Sequence, residues 1–297
     1  MKRFVLILAL AALLASCATN PPRPESMVLE GWIDADGHPV VMIHKSYVMT
    51  NAPDSSMSLE DIVEEQLIPF GKVTVSDGDE ELILTGRLDT AYLPPYTYST
   101  INMTGQVGKR YTVTAKYKDM YATASTTIPP IAYLDSLSIR TDTTGKADVR
   151  AYISGTDTCA ESYYALFVRE TGTKQFCLCP FGVFDGKEAQ NGLLEMSVYN
   201  PITDTTKVEA GFSTNFFYRD TATTRPPKEY QLKVARIDYP SYQFWKAYNE
   251  QVITGGVLFV TVYKNMPSNI VGGIGNFSGF GSSFYRLSIQ KDTTYRF

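Results

Sequence analysis

Histidines, acidic pairs and a glycine cluster are the residues whose types and spacing could do chemistry in this sequence. The two histidines, His38 and His44, are expected on one early strand and on one side of it. A pair without a third ligand falls short of a zinc site. No general base stands beside a nucleophile in a triad-like spacing. Asp34-Ala35-Asp36-Gly37 opens like a calcium loop but lacks the later acidic ligands and the closing Glu. It reads instead as a hairpin turn with positive φ. Glu64 and Glu65 fall on the surface of a predicted helix. Gly273-x-Gly275-x-x-Ser278 approaches a dinucleotide fingerprint, but the third glycine is missing and no βαβ unit can follow. Nor does that stretch hold the Lys-Ser or Lys-Thr of a phosphate-binding loop. The sequence therefore assigns no catalytic residue, no metal site and no cofactor, and the reading is of a non-enzyme. Ligand-binding residues stay unassigned.

Cysteine carries one clear signal. The chain opens "MKRFVLILALAALLASCATNPP". Lys2 and Arg3 precede an apolar run from Phe4 to Ala15, too short for a bilayer core of roughly 30 Å and suited to a secretory signal. Leu14-Ala15-Ser16-Cys17 matches the bacterial lipobox, in which the cysteine thiol receives a diacylglycerol and the new N-terminus an acyl chain. Several tails anchor a protein stably where one does so marginally. Residues 1–16 are expected to be the lipoprotein signal peptide and Cys17 the lipidation site. Residues 17–26, rich in proline, are expected to form a tether. Ala18 in place of Asp favours the outer membrane, on a face the sequence leaves open. Cys159, Cys177 and Cys179 remain. A Cys159 bridge to either of the others and three buried thiols are both open readings. The net charge of −4 becomes more negative once Lys2 and Arg3 are removed, which disfavours nucleic acid as a partner.

The elements that must position any site are mostly strands. "MVLEGWI" alternates, and "PVVMIHKSYV" follows the Asp36-Gly37 turn. "KVTVS" and "EELILT" flank Asp77-Gly78, and "RYTVTAKY" pairs by pattern with "MYATASTT". Short alternating strands with regular turns predict an all-β protein of two β-sandwich-like domains with one or two short helical insertions. Residues 27–130 should form an immunoglobulin-like N-terminal domain closed by "TIPP", and residues 131–297 a β-rich C-terminal domain. The helices are expected at Ser58–Leu67 and at Ser241–Val252, the second capped by Ser241 with Phe244, Trp245, Tyr248 and Val252 as core. Leu88–Thr104 reads as irregular connection, and "KDTTYRF" as terminal turn chemistry. "GGVLFVTVY" and "FYRLSIQ" read as strands. "NIVGGIGNFSGFGSS" reads as a rigid bent connection into the last strand, with Phe277 anchored in the second core.

The stretches "EGWIDADGHPVVMIHKS", "GKVTVSDGDEELIL", "GKRYTVTAKYKDMYATASTTIPP" and "SNIVGGIGNFSGFG" occur in this order. Together they resemble a family of Bacteroidetes-type outer-membrane lipoproteins known as a domain of unknown function, number 4249. The resemblance implies a partnership with a TonB-dependent outer-membrane transporter and supplies no catalytic residue. The expected function is a membrane-anchored envelope lipoprotein that binds a substrate or the transporter itself. The alternative is a structural or adhesive module for a protein partner.

Overall fold

Alternation along Met27–Asp34 (β1) sorts two kinds of side chain. Leu29 and Ile33 are fully buried on one face, while Glu30, Trp32 and Asp34 point to the other. The same division holds along a large sheet in the computed structural model. That model describes residues 25–46, 65–92, 94–143, 145–156, 160–199, 217–218, 229–255, 266–289 and 292–297. Beside β1 lie Val40–Lys45 (β2), Tyr96–Ser99 (β6) and Thr85–Leu88 (β5). On its other side comes Ile274–Ser288 (β16), followed by Glu229–Ile237 (β15), Tyr163–Glu170 (β11) and Cys177–Asp185 (β12). The order is β12-β11-β15-β16-β1-β2-β6-β5 in one eight-stranded sheet. Pro180 falls on β12, an edge strand, where the missing N–H costs no central ladder bond.

Two smaller sheets pack on the inner face. Lys72–Ser76 (β3), Glu81–Ile83 (β4), Arg110–Tyr117 (β7) and Met120–Thr127 (β8) form one, in the order β4-β3-β7-β8. It encloses a core of Leu29, Ile43, Val73, Val113 and Phe277. Ser136–Thr141 (β9), Lys146–Ile153 (β10), Leu194–Val198 (β13) and Thr293–Arg296 (β17) form the other, with Phe217–Tyr218 (β14) paired to β10. Its core includes Leu137, Val149, Leu166, Cys179, Leu232 and Leu287. The all-β, sandwich-like class follows from these layers. The hairpins at Asp77-Gly78 and at Lys118-Asp119 form as the patterning predicts, with Gly78 at φ 95° and Lys118 at φ 51°.

The glycine-rich stretch departs from its expected role. From Ile274 it is not a bent connection but the longest of the described strands, paired in parallel with β1 and antiparallel with β15. Phe277 lies in the first core, with Leu29, and not in the second. Gly281 faces inward where the chain passes from one core to the other. A Cβ there would sit 2.4 Å from both the Pro129 and the Pro130 carbonyl oxygens. The glycine thus lets the "IPP" crossing lie directly on the strand, a close approach only a missing side chain permits. Asn269 replaces a strand partner at the start, accepting from Phe277 N at 3.0 Å and donating to Phe277 O at 2.8 Å.

Other departures are local. Leu88–Thr104 contains β6, and the terminal "TTYR" forms β17 against β9. His38 precedes β2 and sits in the turn, so the two histidines do not share a strand. The helix Tyr239–Gly255 (α1) begins before Ser241, because Asp238 caps it and accepts from Ser241 N at 3.0 Å. The predicted helix at Ser58–Leu67 lies mostly outside the described residues, as does "GGVLFVTVY"; Glu65 and Gln66 are helical.

Candidate functional site

Among the described residues, the outer face of the large sheet is covered only in part. α1 lies against β11, β12 and β16, with Tyr242 buried among Tyr163, Ala165, Phe167 and Phe280 and Trp245 packed against that cluster. Beside it remains a cavity of about 680 Å³, within the roughly 300–1,000 Å³ common for small-molecule sites. Its floor comes from alternate residues of β1, β2, β15 and β16. Trp245 and Tyr248 of α1, Tyr92 after β5 and Phe176 before β12 line its sides. Of the residues expected as core, Phe244 is buried and Trp245 packs on the core beneath α1, yet both line the cavity with the more exposed Tyr248, and the Val252 side chain lies outside the described residues. Trp32 faces Tyr92 with ring centroids 6.1 Å apart. Phe176 stands 5.8 Å from Phe284 and carries the Arg169 guanidinium over its face at 4.4 Å.

At one end of the floor a lysine is buried. Lys233 is 4% exposed, and its Nζ lies 2.6 Å from Asp34 Oδ1 and 4.0 Å from the centre of the Phe280 ring. Ser282 Oγ donates to the same Asp34 oxygen at 2.6 Å. Burial pulls the lysine pKa down, against the opposing attraction of Asp34. Ion pairing, a hydroxyl donor and an aromatic face together repay part of the desolvation cost of the buried charges.

At the mouth, Lys174 Nζ reaches Asp89 Oδ2 at 3.0 Å. This pair joins the β11–β12 connection to the β5–β6 connection, which spring from opposite sides of the sheet. The hydrogen bond from Lys174 holds the Asp89 carboxyl below its usual range.

At the other end stand Glu30 and Asn276, which are register partners across β1 and β16. Burial raises the Glu30 pKa, and His44 pulls it back. Asn276 is 3% exposed; its amide nitrogen donates to Ser278 Oγ, leaving Oδ1 buried without a partner among the described residues. Trp245 Nε1 donates to the same Ser278 hydroxyl at 3.3 Å. Tyr248 is pushed up by its burial first and by Glu30 second. The arrangement offers aromatic surface for a ligand body and fixed acceptors for its polar groups.

The residues singled out by sequence scatter. Cys17 and Cys159 lie outside the described residues. Cys177 and Cys179 are free thiols; Cys177 lines the cavity and Cys179 lies in the second core. His44 also lines the cavity, and its Nδ1 is 3.0 Å from Lys45 O. His38 Nδ1 is 2.9 Å from Met103 O, away from the cavity. Glu65 is exposed and Glu64 is outside the described residues. Asp34, read as part of a turn, proves to be the partner of Lys233. Lys233 and Asn276 carried only a weak signal, a lone polar residue at an otherwise apolar strand position.

The family model for a domain of unknown function, DUF4249, matches residues 18–286. No curated protein matches the chain. Among solved structures, the crystal structure of the chicken CNTN1 FN1-FN3 domains is similar at 11% identity and a TM-score of 0.22. The match covers 71% of this chain and 60% of that one.

Proposed function

The chain belongs to the DUF4249 family, and we propose that it is a non-enzymatic envelope lipoprotein that holds a small ligand for a TonB-dependent outer-membrane transporter. In this reading Cys17 is the acylated N-terminus and anchors the protein in the outer membrane. The observation that carries the binding role is the aromatic cavity on the outer face of the large sheet, walled by α1 and two connections. A concave aromatic surface with a few fixed polar groups suits capture of a small molecule better than adhesion to a flat protein face. The lipobox residues Leu14 to Cys17 and the short apolar run before them support the anchor.

Affinity capture of the tagged chain from solubilised native membranes tests the partner. Enrichment of a TonB-dependent transporter, with acyl mass on the Cys17 peptide, is the expected result. A released, unacylated protein that enriches no transporter overturns the reading.

A further inference from the structure

The charges around the cavity do not cancel evenly. Lys233 is matched by Asp34, and Lys174 by Asp89. Glu30 makes no hydrogen bond or ion pair among the described residues; burial disfavours its charge, His44 attracts it, and the Tyr248 phenol feels it. A half-buried carboxylate without a partner is costly, and it stands beside a second unpaired acceptor, Asn276 Oδ1. Both lie on the strand face that also carries Trp32, two residues along β1 from Glu30, and both line the same cavity as Trp245 and Tyr248. Glu30 and Asp34 are four residues apart on one strand, about 13 Å, so the unpaired end is well separated from the neutralised Lys233 end.

We propose that the cavity takes an organic cation, a protonated amine or guanidinium on an apolar body, with its nitrogen between Glu30 and Asn276 and its body against Trp32 and Trp245. This deepens the ligand-holding role proposed above and rests on it. An N–H-bearing cation supplies what both acceptors lack. It neutralises Glu30, donates to Asn276 Oδ1, and gains from the surrounding aromatic faces. A neutral polyol would leave the carboxylate uncompensated. A quaternary ammonium would leave Asn276 Oδ1 without a donor. A bare metal ion would want more oxygen ligands, and among the described residues no group of three acidic, histidine or cysteine side chains gathers.

The test uses the full chain in detergent and calorimetric titration with a matched series: 2-phenylethylamine, 2-phenylethanol, trimethyl(2-phenylethyl)ammonium and glucose. The amine should bind at least about tenfold more tightly than the alcohol and than the trimethylated cation, the worth of one charge-assisted hydrogen bond. Glu30→Gln should abolish the advantage over the alcohol while the melting temperature holds. Because the ligand series is read on the unaltered chain, it stands even if the variant fails to fold. Equal binding of amine and alcohol, tighter binding of glucose, or no binding of any probe to folded protein overturns the inference. Transporter capture without amine binding sinks only this inference; amine binding without capture sinks only the transporter reading.

Discussion

Lys233 shows how much a single buried residue can demand. Its ammonium is held by Asp34, Ser282 through Asp34, and the face of Phe280. Removing one partner strands the other, which typically costs about 3–5 kcal/mol, whereas replacing both with uncharged groups of similar volume is often neutral. Asp34→Asn alone should therefore destabilise the protein strongly in urea titrations. Asp34→Asn combined with Lys233→Met should recover most of the loss. A single variant costing less than about 1 kcal/mol would place the pair among weakly coupled surface bridges instead. The sequence could not announce this pair. Asp34 stands in a turn-like "DADG", and Lys233 interrupts "YQLKVARID" as any surface lysine might interrupt a strand with one solvated face. Only when β15 and β1 flank β16 do the two charges meet. Glu30 and Asn276 were hidden for the same reason, being register partners of strands far apart in sequence.

Elements defined by nearest-neighbour chemistry were legible, and those defined by distant packing were not. The β3–β4 hairpin follows from alternation on either side of Asp77-Gly78. Its turn is stitched further by Asp77 Oδ1, which accepts from Asp79 N at 3.1 Å and Glu80 N at 3.0 Å, while Lys109 Nζ lies 2.6 Å from Asp77 Oδ2. The lysine hydrogen bond and the turn amides draw the Asp77 pKa from 3.8 down to about 2. A carboxyl with a depressed folded pKa contributes stability that is present above its unfolded pKa and lost as pH falls through the folded one. Asp77→Asn keeps an acceptor for the amides and removes the charge. Its stability deficit should be constant above about pH 5, narrow as pH falls below about 4, and disappear only below about pH 2. Denaturant titrations of both proteins across that range check it, and a deficit independent of pH would deny the charge any role. β16, by contrast, does not read as a strand locally, because glycine is depleted in strands. Its glycines answer to the chain crossing at Pro129 and Pro130, which no local window contains. Ser241 and Asp238 are both good caps three residues apart, so the sequence alone does not choose between them, and Pro240 in the first turn fits the earlier one.

Across the whole molecule one sheet serves both cores. β16 contributes Phe277 to the first and Leu287 to the second, and it is the only described strand that joins β1 to β15. The chain-order division at residue 130 thus leaves the first core without Ile270 and Phe277, and leaves β1 without its parallel neighbour. Residues 27–130 expressed alone should lack a cooperative unfolding transition. The full chain should melt in one transition, with calorimetric and van't Hoff enthalpies equal. A fragment with sharp amide dispersion and its own melting transition would show that the first core is self-sufficient.

The pairing of Val28 with Ile274 also sets a timetable. At synthesis rates of roughly 5–20 residues per second, the intervening stretch of about 250 residues takes something like 12–50 s to deliver. For that interval β1 waits with one edge open, and open edges recruit foreign strands. Long-range pairing of this kind is also slow to form once the chain is complete. The strand that closes the first is thus among the latest to arrive, so a nascent copy is most exposed to aggregation until β16 has emerged.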